Sequence, residues 1–291
     1  MSFNLDLFHV PPIFKSFFLG IVQGITEFLP VSSTAHLRIV PSLLHWGDPG
    51  TAFSAVIQLG TALSVIIYFW KDLLKIYGML MTNLFSFLTG KDTFLSSYES
   101  RIGFWIIIGT IPICIFGLLF KEPIEAGMVR NLNLISFFLI FIALLLLIGE
   151  IVARQNKTLD RISVADVLLI GLAQSLALIP GVSRSGITIL AGLLLGFKRS
   201  DAARFSFLLS VPAVLASGAL ELRALLGALN GCSQSSYINL FVGIFTAFVS
   251  GYFAIHFLLK YLQSHKTYIF VVYRVLLGIL IFYLGYKGMI S

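Results

Sequence analysis

Charge is what this sequence has least of. Lys, Arg, Asp and Glu together make up 11% of its 291 residues, and the acidic pair supplies only 13 of them. A soluble domain of this length needs a polar coat, and so thin a supply cannot provide one; a soluble globular protein is excluded. Cysteine is almost missing as well. Cys114 and Cys232 stand in different segments with no metal-ligand neighbour, which leaves no disulfide framework or thiolate metal site and assigns both to packing or loops. Nothing resembles a flexible linker or a soluble extension, so one integral membrane domain over residues 1–291 is expected. The N-terminal segment has neither the basic start nor the small-residue cleavage site of a signal peptide.

Apolar residues dominate instead. They form 58% of the chain, and the mean hydropathy is +0.96, values that belong to a bundle of membrane helices. The net charge of +7 would suggest nucleic acid in a soluble protein. Here it is expected of loops that face anionic lipid, and no nucleic-acid partner is expected.

Good spans are read at 51–69, 102–120, 132–153, 202–222, 237–262 and 267–289. The stretch 73–88 is short and holds Lys75, Thr82 and Asn83. The loop 89–101 is the most polar of the first half, Lys121-Glu122-Pro123 joins two spans, and a basic connector runs from Arg154 to Arg161. Two places differ from everything else. Residues 13–29 and 35–45, and again 164–179 and 187–197, are pairs of short apolar pieces around a polar break, each too short for a span of about 20 residues.

The two breaks are related. At a constant offset of 151, Gly20 matches Gly171, Gln23 matches Gln174, Val31 matches Val182, Ser32 matches Ser183 and Ala52 matches Ala203. The order of elements repeats as well: short piece, Pro-Ser break, short piece, spans. The fold expected is an all-α polytopic membrane protein of two inverted-topology repeats, about 13–153 and 164–289. Each repeat is a re-entrant helical hairpin followed by three crossings, so that the breaks meet near the midplane. The odd number of crossings requires 73–88 to lie along the interface. Twelve basic residues, among them Lys71, Lys91, Arg154, Arg161 and Lys198, then share one side. Six, Lys15, Arg38, Lys121, Arg130, Arg223 and Lys287, share the other. The first side is then cytoplasmic and both termini face outward. A spanning 73–88 gives an equally lopsided count with the N-terminus inside.

The chemistry sits at the breaks. A carboxylate in hydrocarbon costs roughly 2.5–3.5 kcal/mol on insertion scales, so Glu27 implies a role. Gln23 lies four residues earlier on the same helix face. Pro30 stops the helix, and Ser32, Ser33, Thr34 and His36 follow within a few residues. A short signal or anchor helix before an external loop is the plain alternative, and the second break argues against it. There, Arg184 is an intramembrane cation between Ser183 and Ser185, with Thr188 one turn on and a helix N-terminus pointing back at the spot. Hydroxyls, helix amides and a fork-shaped guanidinium make an anion site suited to phosphate. A buried structural pair between Arg184 and Glu27 is the alternative, which leaves the clustered hydroxyls unexplained. Facing an anion site, Glu27 either holds a divalent cation, with Gln23 as a weak carbonyl ligand, or moves protons. Mg²⁺ or Ca²⁺ is expected from the hard oxygen donors.

The catalytic group is read as Glu27, Ser33, His36 and Arg184, suited to phosphoryl transfer or phosphate-ester hydrolysis. Ser32, Thr34, Ser183, Arg184, Ser185 and Thr188 are the phosphate contacts. Two nucleophiles remain open: Ser33 with His36 as base, or a metal-bound water. His9 and His265 fall in loops, His45 ends a short piece, and His256 sits alone in a span where packing is expected.

The stretch Gln23-Gly-Ile-Thr-Glu27-Phe-Leu-Pro-Val-Ser-Ser-Thr-Ala-His36 resembles the Glu/Gln-x-x-x-Glu signature region of the undecaprenyl-diphosphate phosphatase family, the bacitracin-resistance proteins. Pro180-Gly-Val-Ser-Arg-Ser-Gly-Ile-Thr188 resembles that family's Pro-Gly-x-Ser-Arg-Ser-x-x-Thr signature. Residues 56–60 and 205–212 are also similar to it, and the likeness covers essentially the whole chain. Gln23 stands where many members have Glu, and Ala35 where Gly is usual. The resemblance implies a bacterial inner-membrane enzyme, dependent on a divalent cation, that removes the terminal phosphate of undecaprenyl diphosphate at a site reached from the outer side. Its product is the lipid carrier of peptidoglycan and wall-polymer synthesis, and loss of recycling sensitises cells to bacitracin. A polyprenyl diphosphate is thus the expected partner, with a homodimer compatible with the reading. A carrier or flippase using the same site without catalysis is the reading from another class.

Overall fold

The computed structural model describes residues 11–90, 95–120, 131–228 and 234–290. Outside them lie His9, Lys91, Lys121-Glu122-Pro123, Arg130 and Cys232. All regular elements among the described residues are helical. The first broken pair is α1 (Ile13–Phe28) and α2 (Ser33–Leu43). It is followed by α3 (Gly50–Tyr68), α4 (Trp70–Leu88), α5 (Tyr98–Leu119) and α6 (Leu132–Val152). The second pair is α7 (Val164–Ser175), extended by a 3₁₀ turn at Leu176–Leu178, and α8 (Arg184–Leu194). Three long helices close the chain: α9 (Arg199–Ala228), α10 (Gln234–Ser264) and α11 (Tyr268–Tyr286).

Among the described residues, six helices are long and apolar enough to cross a membrane: α3, α5, α6, α9, α10 and α11. These are the spans expected from the sequence, and the protein is a multi-pass helical membrane protein. Helix α4 is not one of the six. It packs on α5, where Asn83 donates to Ser97 Oγ at 3.2 Å and Ser100 Oγ at 2.9 Å, and near its start Asp72 pairs with Arg204 of α9 at 2.7 Å.

Helix ends follow local chemistry. Ser97 and Asn131 cap α5 and α6 by accepting from Ser100 N and Leu134 N. Ser163 and Asp166 form a reciprocal capping box at α7. The basic connector before α7 is tied down rather than loose. Lys157 donates its amide to Gly196 O at 3.0 Å and accepts from Lys198 N at 2.9 Å, while its Nζ pairs with Asp166 at 2.5 Å. Nearby, the buried carboxylate of Glu150 pairs with Arg199 and accepts from Thr267 N at 3.1 Å and Oγ1 at 2.9 Å. The ends of α6, α9 and α11 are thereby joined.

The helices pack in five main pairings: α1 with α10, α3 with α10, α6 with α11, α3 with α9, and α5 with α7. Lipid tails give apolar helices no reason to associate, so close approach depends on small residues. A methyl group on Gly20 would lie 2.4 Å from Gly243 O, and one on Gly171 would lie 2.5 Å from Gly109 O. The matched glycines are thus the points where each hairpin's first helix touches its partner. Between the hairpins, Phe28 meets Phe207 edge-on with centroids 5.2 Å apart, in one core with Val31, Val182 and Ile187.

Candidate active site between two broken hairpins

The first break follows from Pro30. Leu29, the residue before it, is forced into extended backbone (φ −63°, ψ 140°), and α1 ends. The chain turns through Ser32, which has φ +73°, and restarts as α2 at Ser33. The second break turns through Ser183 at φ +70° and restarts as α8 at Arg184. Positive φ at a non-glycine residue costs on the order of 1–3 kcal/mol and persists where surroundings enforce it. Both breaks spend it at the serines that match at offset 151.

The second helix therefore starts at Arg184, earlier than the expected 187. Ser183 is its N-cap, accepting Gly186 N at 3.2 Å through its hydroxyl, so the cap reaches three residues into the polar stretch. Arg184 is the first helical residue and shares the helix's N-terminal field.

The two breaks meet at one carboxylate. Glu27 Oε1 accepts from Arg184 Nη2 at 2.8 Å. Glu27 Oε2 accepts from Gln23 Nε2 at 2.7 Å and from Ser33 Oγ at 2.8 Å. Arg184 also reaches Ser210 O through Nη1 at 3.3 Å, a longer and weaker bond that leaves much of the fork's capacity for another acceptor. Gln23 is fully buried, and its Oε1 has no hydrogen-bond partner. Thus Gln23, Glu27, Ser33 and Arg184, expected to cooperate, form one connected group.

The remaining expected residues divide. Ser183 and Ser185 hydroxyls lie 3.2 Å apart, and Ser185 Oγ donates to Leu29 O at 3.1 Å, which fastens break two to the end of α1. Ser32 is buried and offers its carbonyl, while Thr34 is exposed. Thr188 Oγ1 bonds Arg184 O at 2.7 Å and Ser206 Oγ at 2.5 Å, tying α8 to α9. His36 is buried but not bonded to Ser33. Its Nδ1 lies 2.7 Å from Ser32 O and its Nε2 lies 2.6 Å from Tyr273 Oη. His256 is exposed on α10, with Nδ1 3.3 Å from Tyr68 Oη. Cys114 is exposed on α5.

Two residues of α11 belong to the site and are not signalled by either break. Tyr273 is one. The other is Arg274, 0% exposed, whose guanidinium donates to Pro30 O at 3.1 Å, Gly181 O at 2.9 Å, Val182 O at 3.1 Å, Leu139 O at 3.2 Å and Phe138 O at 3.3 Å. It fills the space between the breaks and satisfies the carbonyls that each left without helical partners.

Fold and site define a class: a multi-pass helical membrane protein in which two helical hairpins, broken inside the apolar core, bring a Glu–Arg pair and serine hydroxyls together. Residues 16–280 match the family described as Bacitracin resistance protein BacA, and the chain belongs to that family. It is 50% identical over 283 residues to the undecaprenyl-diphosphatase of Chlorobium phaeovibrioides, covering 95% of this chain and 98% of that one. It is 48% identical over 279 residues to the undecaprenyl-diphosphatase of Myxococcus xanthus, covering 96% and 91%. The undecaprenyl-diphosphatase of Chlorobaculum tepidum is 48% identical over 274 residues, covering 92% and 95%.

Proposed function

We propose that the protein hydrolyses undecaprenyl diphosphate to undecaprenyl phosphate and inorganic phosphate, recycling the lipid carrier for wall-polymer synthesis and conferring resistance to bacitracin. The observation that carries this reading is Glu27 receiving both Arg184 and Ser33, inside a chain of the bacitracin-resistance family. A lipid diphosphate brings its anionic head to the membrane, so an anion site set among apolar helices suits it. Arg184 exchanges part of its hold on Glu27 for phosphate oxygens. Ser33 presents an oxygen whose proton already points at Glu27. A nucleophilic oxygen, Ser33 Oγ or water, attacks the terminal phosphorus and gives its proton to Glu27. The anhydride P–O bond breaks, and undecaprenyl phosphate leaves with the bridging oxygen. Where Ser33 attacks, water then cleaves the phosphoserine to release inorganic phosphate. Arg184 gains most as negative charge builds on the transferring group.

The residues present fit a divalent cation such as Mg²⁺ or Ca²⁺. Gln23 Oε1 is a buried carbonyl oxygen with no partner, on the residue bonded to Glu27, and such ions take hard oxygen donors. Glu27 and Gln23 would hold it, and substrate oxygens would complete the shell, because no group of three or more His, Cys, Asp or Glu occurs among the described residues. When bound, the cation neutralises phosphate charge.

The single domain holds two inverted repeats, about 13–153 and 164–289, and opens toward the outer face of the bacterial inner membrane. The repeat organisation is supported by the packing: each hairpin packs on a span of the other half, and first and third spans pair across the halves. Purified protein in detergent should release phosphate from a polyprenyl diphosphate with no membrane to cross. A carrier would release none.

A further inference from the structure

Neither ring nitrogen of His36 is free. Nδ1 lies 2.7 Å from the carbonyl of Ser32, which can only accept, so Nδ1 carries a proton and donates. In the neutral ring Nε2 is then the acceptor, and the Tyr273 hydroxyl 2.6 Å away donates to it. The result is a directed chain: Tyr273 O–H to His36 Nε2, His36 Nδ1–H to Ser32 O. Its last member is the left-handed residue from which α2 restarts, and the next residue along is Ser33, whose hydroxyl reaches Glu27. His36 is 7% exposed and Tyr273 44%, so the phenol closes the imidazole from outside. The helix that supplies Tyr273 is fixed at this height by the adjacent Arg274 and its bonds to both breaks.

We propose that Tyr273 is a positioning residue for the reaction: through its hydrogen bond to His36 Nε2 it holds the imidazole against the Ser32 carbonyl and so fixes the turn that presents Ser33 to Glu27. The proposal deepens the phosphatase reading and rests on it. His36 is accordingly an orienting group in this arrangement, since a proton from Ser33 has Glu27 as its nearest acceptor. A tyrosine at this place has a plain alternative, filling space beside a buried ring, which a phenylalanine would do equally well.

The test is a double-mutant comparison with undecaprenyl diphosphate in detergent, joined to ¹⁵N resonances of histidine-labelled protein. Tyr273→Phe should lower kcat roughly tenfold, the scale of one hydrogen bond, with KM changed less than about twofold. In a His36→Asn background the same substitution should change kcat less than about twofold, because the effect passes through the ring. The Nε2 resonance of His36 should move to that of an unbonded acceptor in Tyr273→Phe while Nδ1 stays protonated. Equal losses in both backgrounds, or an unchanged Tyr273→Phe enzyme, overturn the proposal. Failure of the phosphatase reading shows separately, as an unmodified protein that releases no phosphate. The histidine resonances are still decisive in that case or if His36→Asn is inactive: an unshifted Nε2 in Tyr273→Phe overturns the hydrogen-bond chain.

Discussion

Arg184 Nη2 stands 2.8 Å from Glu27 Oε1 across 157 positions of sequence, and this bond joins the two breaks through their charged side chains. Both side chains are largely buried, 13% and 7% exposed. A buried pair gains little net stability over apolar residues of the same shape, yet losing one partner strands the other. That asymmetry makes the site's charges separable from its packing by mutation.

Ser33 donates to the same carboxylate, which gives the nucleophile question a sharp form. If Ser33 attacks phosphorus, rapid quench of a turnover should trap a phosphoserine, and Ser33→Ala should lose at least about 10³-fold in kcat. No trapped phosphoenzyme together with a Ser33→Ala variant that keeps most of its rate would assign the attack to water.

Cation dependence is readable at Gln23. Gln23→Glu adds a second carboxylate one turn from Glu27, so half-maximal activation by Mg²⁺ or Ca²⁺ should occur at lower concentration with the reaction unchanged. Chelation should abolish phosphate release and readdition restore it. Activity indifferent to chelators would return Glu27 to proton transfer alone.

Arg274 should matter to folding before it matters to chemistry. Replacing it by Met withdraws donors from five carbonyls at once, two of them at the second break and one at the first. Destabilisation of roughly 3–5 kcal/mol is expected, visible as lower folded yield and a lower Tm in detergent. Arg274→Lys should fall between, since an ammonium has three donors and no planar fork. An Arg274→Met protein with unaltered Tm would show that those carbonyls find other partners.

These residues also mark how far the sequence could be read. Glu27 and Arg184 were legible because an ionised group in hydrocarbon is costly and each sat among small and hydroxyl residues beside a proline. The sequence offers their mutual contact only as an alternative to phosphate binding, and the structure contains that contact. The partners of Arg274 are not legible, because they are backbone carbonyls, which carry no letter. A signal did exist: assigning twelve basic residues to one side and six to the other leaves two of the twenty, and they are Arg184 and Arg274. Tyr273 had no such signal, since one aromatic among many in α11 becomes special only through a 2.6 Å contact 237 positions away. The start of α8 at Arg184 differs from the expected 187 because an apolar reading begins a helix at its first apolar residue, whereas the cap at Ser183 begins it among polar ones.

The proposed sidedness puts the connector at 154–161 on the cytoplasmic face. Asn156 is exposed there, between residues held by Gly196 and Glu150. A cysteine at Asn156 should resist impermeant maleimide added to intact spheroplasts and react after permeabilisation. Rapid labelling from outside would invert the orientation, and with it the face from which the diphosphate enters.

Arg184→Lys tests the clamp most directly. Lysine keeps the charge and can still pair with Glu27, but it loses the fork that grips two oxygens together. If Arg184 tightens on the phosphoryl group as charge develops, the variant should fold normally and lose about 2–4 kcal/mol of transition-state stabilisation, seen in kcat as well as KM. If Arg184 serves only as the ion-pair partner of Glu27, a different pattern is expected. Arg184→Gln would then fold poorly by stranding Glu27, and Glu27→Gln combined with Arg184→Gln would recover much of the lost stability. Measuring folded yield and phosphate release for the singles and the double separates the two roles. A well-folded, nearly inactive Arg184→Lys protein supports the clamp, and a fully active one ends it.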